Sequence, residues 1–310
     1  RAENLQGMLG ENTVIADVVV NDQQSSINAQ SLLRTATLSQ LAGIGFSEDL
    51  LSGRALWSLN ASKVGDRLYL SMETDGVGLI SQLPIPLTKA EEVAGNIKVN
   101  FTQDQSGQTV EAIVFENTTI LGQLDRDLIT LEVLTPMIDL LGWGSLSGPA
   151  GERPRLAMLL RIDQVLLGED SLSVDEIALN LRRDYFDASF DGSDLSGRVE
   201  RTGSGPILID LERLAFHGDR NFLDPPSEDL LSAFNPGQIP SLRLTIGALI
   251  RGETVYEDVE VTAISGESRL DVTEFLFVRK GQRFQGELSW VYQNGQPKSA
   301  LVLRADGAEL

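Results

Sequence analysis

The chain contains no cysteine among its 310 residues. Thiol catalysis, disulfide bonds and thiolate metal sites are therefore all excluded. A chain without cysteine suits the bacterial periplasm, where stray disulfides would form, although many cytosolic proteins also lack cysteine.

Basic residues are scarce as well. The chain has 25 lysines and arginines against 45 aspartates and glutamates, so its formal net charge is −20. This excess of negative charge argues against nucleic acid or an anionic membrane surface as a direct partner. The acidic residues are scattered along the chain, which indicates a solvated outer face and not an acidic tail.

Long hydrophobic runs are absent, and no stretch approaches the roughly 20 apolar residues that a membrane-spanning helix needs. The N-terminus does not have the layout of a signal peptide. The chain begins at "RAENLQG" without an initiator methionine and stops just after a strand-like segment, "LVLRADGAEL". We therefore expect a segment of a longer protein, whose anchors would lie elsewhere.

Motifs of catalysis are missing: there is no G-x-S-x-G elbow, no P-loop and no H-E-x-x-H. The single histidine, His217, stands beside Asp219 and Arg220 in "AFHGDRN" and is interpreted as a surface-loop residue. Asp125 and Asp127 could supply paired carboxylates for glycoside hydrolysis, yet their spacing is typical of charges in a hairpin turn. The sequence predicts no enzyme, no catalytic residue and no cofactor.

One acidic cluster, "DYFDASFDGSD", brings four carboxylates close together in sequence. They are Asp184, Asp187, Asp191 and Asp194. Several carboxylates beside a glycine turn are what calcium uses, but the spacing matches neither an EF-hand loop nor a glycine-rich nonapeptide repeat. No metal site is assigned, and calcium at this cluster stays an open question.

What the chain does have is alternation of apolar and polar residues with period two, from end to end. The apolar positions of these runs are Leu68, Leu70, Met72, Ile97, Val99, Phe101, Leu156, Met158, Leu160, Ile162, Ile207, Ile209, Leu211, Leu242, Leu244, Ile246, Leu288, Trp290, Leu301 and Leu303. Glycine-containing turns separate the runs, which predicts roughly eighteen strands with short connections and antiparallel pairing. Helical signals are few: "TATLSQLAG" after Arg34, "PMIDLLG" from Pro136 and "PSEDLLSAF". The fold class is all-β with a few short helices.

A sheet of this kind has one apolar face, which must be covered. A second sheet, closure into a barrel or a ligand could each cover it. Aromatic residues make up only 6% of the chain, whereas sugar-binding surfaces usually need exposed aromatic platforms. A long aliphatic face suits its own core or an aliphatic ligand, and periodicity alone leaves both open.

A glycine recurs at the start of three alternating runs. These runs are "LSGRALWSLN" from Leu51, "LSGRVERTG" from Leu195 and "FQGELSWVYQNG" from Phe284, and their glycines are Gly53, Gly197 and Gly286. A glycine inside a strand marks a bulge, a bend or a close backbone approach. Recurrent bends would curl a sheet about its long axis, while ordinary bulges in a sandwich are the alternative.

"LSGRALWSLN" is followed by a Leu-Pro-x-Pro-Leu-x-Lys segment, formed by Leu83, Pro84, Pro86, Leu87 and Lys89. Three further stretches come after it along the chain: "FDGSDLSGRVERTGSGPILIDLERLAF", "NPGQIPSLRLTIGALIRGETVYEDVEVTA" and "RFQGELSWVYQNGQPKSALVLRADG". In these four stretches and in their order, the chain from Leu51 onward resembles the YhdP-type members of the AsmA-like family. The first fifty residues match poorly.

The resemblance implies a long, curled antiparallel sheet that forms an open, taco-like groove with an apolar interior. It also implies a periplasmic segment of an envelope protein of double-membrane bacteria, anchored to the inner membrane by a part not present here. Residues 1–310 would form one continuous repetitive groove, with sub-repeats 1–150 and 151–310. The implied ligands are phospholipids, which the groove would carry between the inner and outer membranes, and partner proteins are not identified.

Under this interpretation the alternating apolar residues line the groove, and Gly53, Gly197 and Gly286 bend the sheet. Two other classes stay open: a structural or adhesive envelope β-sandwich, and a carbohydrate-active enzyme. A sandwich would bury its apolar strand faces against each other, whereas a conduit would expose a continuous apolar trough larger than the few hundred Å² usual for a soluble monomer.

Overall fold

The computed structural model describes residues 1–9, 11–21, 24–37, 49–125, 127–145, 155–168, 170–217, 240–293 and 296–306. The fold is all-β, as predicted. The chain divides into two compact units, Arg1–Leu166 and Leu167–Leu310.

The elements that begin in the first unit are β1 (Ala2–Leu9), β2 (Asn12–Val20), β3 (Gln24–Arg34), β4 (Leu51–Val64), β5 (Arg67–Thr74), β6 (Leu79–Gln82), β7 (Thr88–Lys89), β8 (Ile97–Asp104), β9 (Gly107–Val114), β10 (Thr118–Leu124), β11 (Leu128–Leu134), β12 (Met137–Asp139), α1 (Leu140–Ser145), β13 (Arg155–Arg161) and β14 (Gln164–Leu167). Those of the second unit are β15 (Asp170–Ser173), β16 (Glu176–Arg182), β17 (Tyr185–Asp191), β18 (Leu195–Thr202), β19 (Ile207–Phe216), β20 (Leu242–Arg251), β21 (Thr254–Ser265), β22 (Arg269–Arg279), β23 (Gln282–Gln293) and β24 (Gln296–Asp306).

Ten strands of the first unit form one ladder, in the order β1, β2, β3, β4, β5, β8, β9, β10, β11 and β13. All of its pairs are antiparallel except β11–β13, which is parallel. A short parallel pair, β12–β14, accompanies it. Because period-two alternation runs through the ladder strands, most of their apolar side chains lie on one side of the ladder.

One end of this ladder is closed by a small core. Strand β4 leaves the main ladder at Gly53, whose φ is +95°, and pairs its first residues with β6. The buried residues of the core are Leu33, Ala55, Trp57 and Leu79, with Met72 and Ile97 packed against them. The glycine lets β4 run from the main ladder into the small sheet that covers this end.

Lys89 lies inside the same end, with only 6% of its surface exposed. Its Nζ donates hydrogen bonds to the carbonyl oxygens of Leu79 at 2.8 Å and Ala90 at 3.0 Å. Burial lowers the pKa of Lys89, and the charge of Asp75 opposes that shift. A Cβ at Gly95 would stand 3.1 Å from Cε of the lysine, so the lack of a side chain there makes room for the lysine stem.

Nine strands of the second unit, β16 to β24, form a ladder in sequence order. Only β19–β20 is parallel. The short strand β15 packs near β19, where Leu172 and Val174 are fully buried or nearly so. Backbone hydrogen bonds from Asp194 to Ser173 and from Ala215 to Asp194 hold this end together.

Three neighbouring strands of the second unit each carry one extra residue at the same level. In β19, Gly197 pairs with Leu211 whereas Ser196 pairs with Arg213, so Glu212 is extra. In β20, Gly247 has no partner in either neighbouring ladder. In β21 the extra residue is Asp258, which lies opposite Gly247. We call Glu212, Gly247 and Asp258 the bulge row. Strand β22 has a separate extra residue between Val272 and Phe275, at the level of Thr262 and Ala263 of β21.

A bulge shifts the phase of alternation by one residue. Apolar positions on either side of the bulge row are therefore three residues apart and still face the same way. These couples are Leu211 and Leu214, Ile246 and Leu249, and Tyr256 and Val259. Because these three strands shift together, hydrogen-bonded pairing between them resumes on both sides of the row. The separate bulge of β22 keeps Val272 and Phe275 on one face in the same way.

Two expectations of the strand pattern need correction. The described residues contain 24 strands, more than the roughly eighteen predicted, because the first fifty residues supply three and several strands have only two to four residues. Pairing is not wholly antiparallel: β11–β13, β12–β14 and β19–β20 are parallel. The long connections 135–154 and 217–241 allow the chain to return and start a new strand at the same end.

The helical expectations are met in part. Residues 35–37 are helical where "TATLSQLAG" begins, and α1 follows three strand residues of "PMIDLLG". The third segment, "PSEDLLSAF", lies outside the described residues.

Candidate functional site

The register of the first unit brings the predicted apolar residues of three distant runs onto one face. Leu70 pairs with Phe101 of β8, and the ladder then passes through Val110, Gly122 and Leu131 to Met158. The predicted residues on this face are Leu68, Leu70, Met72, Ile97, Val99, Phe101, Leu156, Met158 and Leu160. We call it the apolar face of the first unit. Ile162 lies just beyond the end of β13.

The second unit repeats the arrangement. Leu244 pairs with Ile209 on one side and Val261 on the other, and the ladder continues through Phe275 and Gly286 to Leu303. All ten predicted residues of this unit share the face: Ile207, Ile209, Leu211, Leu242, Leu244, Ile246, Leu288, Trp290, Leu301 and Leu303. We call it the apolar face of the second unit.

The predicted lining residues differ in exposure. Leu160, Ile162, Leu211 and Ile246 are buried, so their side chains already pack against other atoms of the protein. Most of the others are half-buried, and Leu301 and Leu303 are 61% and 50% exposed. Lining of a groove by these residues stays a prediction, since the register establishes a shared face and not a cavity.

Charges on the two apolar faces are few and all of one sign. At the ladder positions that the structure describes, the first unit's face carries Lys63 as its charged side chain, and the second unit's face carries Arg201, Arg251 and Arg279. No carboxylate occupies a paired position of either face within the described strands. In a chain with 45 acidic residues, this segregation matches the cost of placing a carboxylate among apolar side chains.

The opposite face of the first unit is mainly polar, although it also carries apolar side chains such as Ile15, Leu56 and Leu121. One row across its strands consists of Asp17, Asn28, Asn60, Ser71 and Asn100, each paired with the next. Asn60 donates a hydrogen bond to Asn28, and the Ser71 hydroxyl donates one to Asn100 Oδ1 at 2.9 Å. A shallow depression of about 440 Å³ lies over this row.

The second unit also has a shallow depression on its polar face, about 500 Å³ in volume. It is lined in part by Glu274, Arg283, Gln285, Glu287 and Arg304. The hollows described on both units therefore open on polar side chains, and an apolar-lined groove stays a prediction.

The three glycines predicted to bend the sheet all lie where another strand approaches closely. A Cβ at Gly53 would clash with the carbonyl oxygen of Gly78, and one at Gly286 with that of Val302. Gly197 has a φ of +136°, and a Cβ there would stand 2.5 Å from Cα of Leu211. Gly197 pairs with Leu211 at one end of the bulge row, and Gly286 pairs with Phe275 beside the separate bulge of β22. Bending of the sheet by these residues stays a prediction.

His217 has a partner that the sequence did not indicate. Its side chain is 66% exposed, yet Nε2 lies 2.7 Å from Oδ1 of the buried Asp194. Asp194 also accepts a hydrogen bond from the backbone N–H of Ser173 at 2.8 Å. Burial alone would raise the pKa of Asp194, but the hydrogen bonds from Ser173 and His217 hold it below its ordinary value. The pair fastens the end of β19 to the segment before β18.

The acidic cluster is dispersed by the fold. Asp184 and Asp191 flank or end β17, so the seven-residue strand places them roughly 20 Å apart. Asp187 is engaged by Arg198, whose Nε lies 2.5 Å from Oδ1. Among the described residues no group of three or more acidic or histidine side chains could hold a metal ion. The calcium hypothesis for Asp184, Asp187, Asp191 and Asp194 therefore has no geometry to support it.

Asp125 and Asp127 lie in the turn between β10 and β11, where the backbone N–H of Asp125 donates to the carbonyl of Leu128. Both are exposed. The hairpin-turn interpretation is confirmed, and Asp219 and Arg220 lie outside the described residues.

The comparisons with known proteins identify the family. Within the described ranges, no helix has the length and hydrophobicity that crossing a bilayer requires. Neither the curated proteins nor the solved structures include one that matches the chain. The family model described as YhdP protein matches residues 1–310, including the first fifty residues that looked dissimilar. The chain therefore belongs to the YhdP family, an AsmA-like family of bacterial envelope proteins.

Proposed function

We propose that the chain is a segment of a lipid conduit, which shields the acyl chains of phospholipids as they pass between the inner and outer membranes through the periplasm. The observation that carries the proposal is the register. In each unit, apolar side chains from nine or ten strands share one face, and no carboxylate interrupts it at the paired positions described.

The energetic need for such a surface is large. Each acyl CH₂ group gains about 0.8 kcal/mol on leaving water, so a 16-carbon chain exposed to water costs roughly 12 kcal/mol. An aliphatic face that follows the lipid removes most of this cost. Because leucine, isoleucine and valine of similar size recur along the face, we expect no single deep well that would trap the lipid.

The bulge row supports the proposal because it keeps the apolar face of the second unit continuous. Without matched extra residues in β19 to β21, the alternation would place Leu214, Leu249 and Tyr256 on the polar side. Three coordinated insertions instead keep the apolar face uninterrupted over the full length of these strands. A structural sandwich needs a covered core, but it has no need for an apolar path along the whole strand.

The test is photocrosslinking of phospholipid from a matched pair of positions. A photoreactive residue at Met158 lies on the apolar face, and one at the neighbouring Ala157 lies on the polar face. Crosslinks to acyl chains are expected at Met158 and not at Ala157. In addition, Met158→Asp should remove crosslinking at other positions of the apolar face while the chain stays folded.

Equal crosslinking from both faces, or none from either, would contradict the proposal. The absence of lipid together with a fully covered apolar face would favour the structural or adhesive sandwich. No enzymatic step enters the proposal, and anchoring to the inner membrane is expected to depend on parts of the protein outside this segment.

A further inference from the structure

We propose that Arg279 is a headgroup-binding residue, which contacts the phosphate of a phospholipid whose acyl chains lie on the apolar face of the second unit. This inference rests on the proposed function and adds a polar contact to it. Arg279 is the last residue of β22, so it lies at the margin of the sheet, where a lipid would pass from apolar surface to water.

The surroundings of Arg279 are aromatic. Its guanidinium carbon lies 5.7 Å from the ring centroid of Tyr256. The ring of Tyr256 meets that of Phe277 edge to face at 5.4 Å, and Phe277 stacks on Phe284 at 4.7 Å. On a face that is otherwise mostly aliphatic, these rings form an aromatic cluster with a cation at its edge.

One hydrogen-bond donor of Arg279, its Nε, has no partner among the described residues. This nitrogen is also shielded from solvent. A buried donor without an acceptor costs free energy, and more so when it carries charge. A phosphate oxygen would supply that acceptor, because the planar guanidinium matches the geometry of phosphate and carboxylate oxygens.

A second arginine at the same margin, Arg251, has an acidic partner within the chain. Arg251 lies over the ring of Phe216 at 5.3 Å, and its Nη1 is 3.8 Å from Oδ2 of Asp170. It is the last residue of β20, and the β20–β21 and β22–β23 turns lie at the same end of their strands. Arg251 therefore has a carboxylate of the chain nearby, whereas no such pair is described for Arg279.

The distribution of charge favours an anionic ligand. The paired positions of this face that the structure describes include Arg201, Arg251 and Arg279 but no aspartate or glutamate. Arg251 and Arg279 lie at the same margin, whereas Arg201 lies at the opposite end of the strands. In a chain of net charge −20, an anion is repelled by most of the surface, so a margin with two arginines is where a phosphate can be held.

The experiment compares two lipids that have the same acyl chains in the full 310-residue chain. Phosphatidylglycerol carries an anionic phosphate headgroup, and diacylglycerol carries none. Retention of each radiolabelled lipid is measured after mixing with vesicles of phosphatidylcholine, for the wild type, Arg279→Gln, Arg279→Lys and Arg283→Gln. Arg283 is the matched control because it is paired with Val278, on the polar face of the same hairpin.

We expect Arg279→Gln to lower phosphatidylglycerol retention roughly tenfold, a change equivalent to about 1.4 kcal/mol, and to leave diacylglycerol retention unchanged. Arg279→Lys should lose less, and Arg283→Gln should resemble the wild type. Equal retention of phosphatidylglycerol by Arg279→Gln and the wild type, or a parallel loss of both lipids, would overturn the headgroup contact but not the conduit.

If the wild type retains neither lipid, the proposed function fails, and the headgroup contact fails with it. Binding of inorganic phosphate alone is measured for the same variants. If phosphate alone binds with the same dependence on Arg279 and displaces no lipid, the site is for a free anion and the lipid assignment is wrong. Thermal unfolding of each variant identifies any loss that comes from misfolding.

Discussion

Adding one methyl group at Gly197 should test the close approach between β18 and β19. In Gly197→Ala, the new Cβ would stand 2.5 Å from Cα of Leu211 and would clash with the carbonyl oxygen of Asp210. The φ of +136° is also one that residues with side chains rarely adopt. Both atoms that meet the Cβ belong to backbone, so they cannot turn aside as a flexible side chain would.

The expected loss of stability has two contributions, backbone strain and steric overlap. A strained backbone conformation costs about 1–3 kcal/mol, and forcing extra atoms into a packed position costs a further 1–3 kcal/mol, roughly. We therefore expect Gly197→Ala to lower the free energy of unfolding by about 3 kcal/mol. For a unit of this size the melting temperature should fall by roughly 6–12 °C.

A matched control separates the cost of backbone strain from the cost of steric overlap. Gly203 has a φ of +56°, but a Cβ there would meet nothing within 4 Å. Gly203→Ala should therefore cost only the backbone strain, about 1 kcal/mol. The two variants are compared by urea denaturation and by thermal unfolding. Equal midpoints for Gly197→Ala and Gly203→Ala would refute the close approach, and an unchanged midpoint for Gly197→Ala would show that the glycine is incidental.

The remaining predictions concern one residue each. Lys89→Met keeps the apolar stem but leaves the carbonyl oxygens that Nζ satisfies without a donor, so the unfolding free energy should fall by about 1–3 kcal/mol. The pKa of Asp194 is lowered from 3.8 in the folded chain, so its stabilising contribution is present above that value and is lost as pH falls through the lowered pKa. Asp194→Asn should therefore be less stable than the wild type near neutral pH, with a smaller loss of stability on acidification in urea titrations. Leu244→Asp should abolish complementation of an envelope-permeability defect by the full-length protein, because a carboxylate facing acyl chains must be desolvated. His217→Ala should leave complementation intact, and the reverse pattern for these two variants would point to a catalytic site near His217.

The shared faces could be predicted because they depend only on local alternation. Within a strand, successive side chains point to opposite sides, so Leu68, Leu70 and Met72 had to share a face whatever their neighbours were. Hydrogen-bonded pairing then carried the same face across to Phe101 and Met158. Nothing beyond the sequence of each run was needed for the first step.

The bulge row could not be predicted in the same way. An extra residue such as Glu212 breaks the alternation at one point, which in sequence looks like an ordinary strand end. Only the pairing of Leu211 with Gly197 and of Arg213 with Ser196 shows that the strand continues. The parallel pairs were missed for a related reason, since alternation does not reveal which strands become neighbours.

Contacts between segments that are distant in sequence could not be predicted either. Asp194 appeared as one of four acids in a cluster, but its function in the fold comes from Ser173 and His217, which are 21 and 23 residues away. Lys89 belonged to a recognised proline-containing segment, yet nothing local indicated that its ammonium group would be buried against two carbonyl oxygens.

The bulge row imposes a rule on how this part of the chain can change length. Deleting Gly247 alone would bring β20 back into strict alternation and turn every side chain beyond that point to the opposite side of the sheet. The adjoining β19 and β21 would keep their own phase, so hydrophobic residues would then lie beside charged ones across both ladders. Single-residue insertions and deletions at this level are therefore tolerated only when neighbouring strands change together, and an alignment of related chains should show compensating gaps in β19 to β21 and not isolated ones.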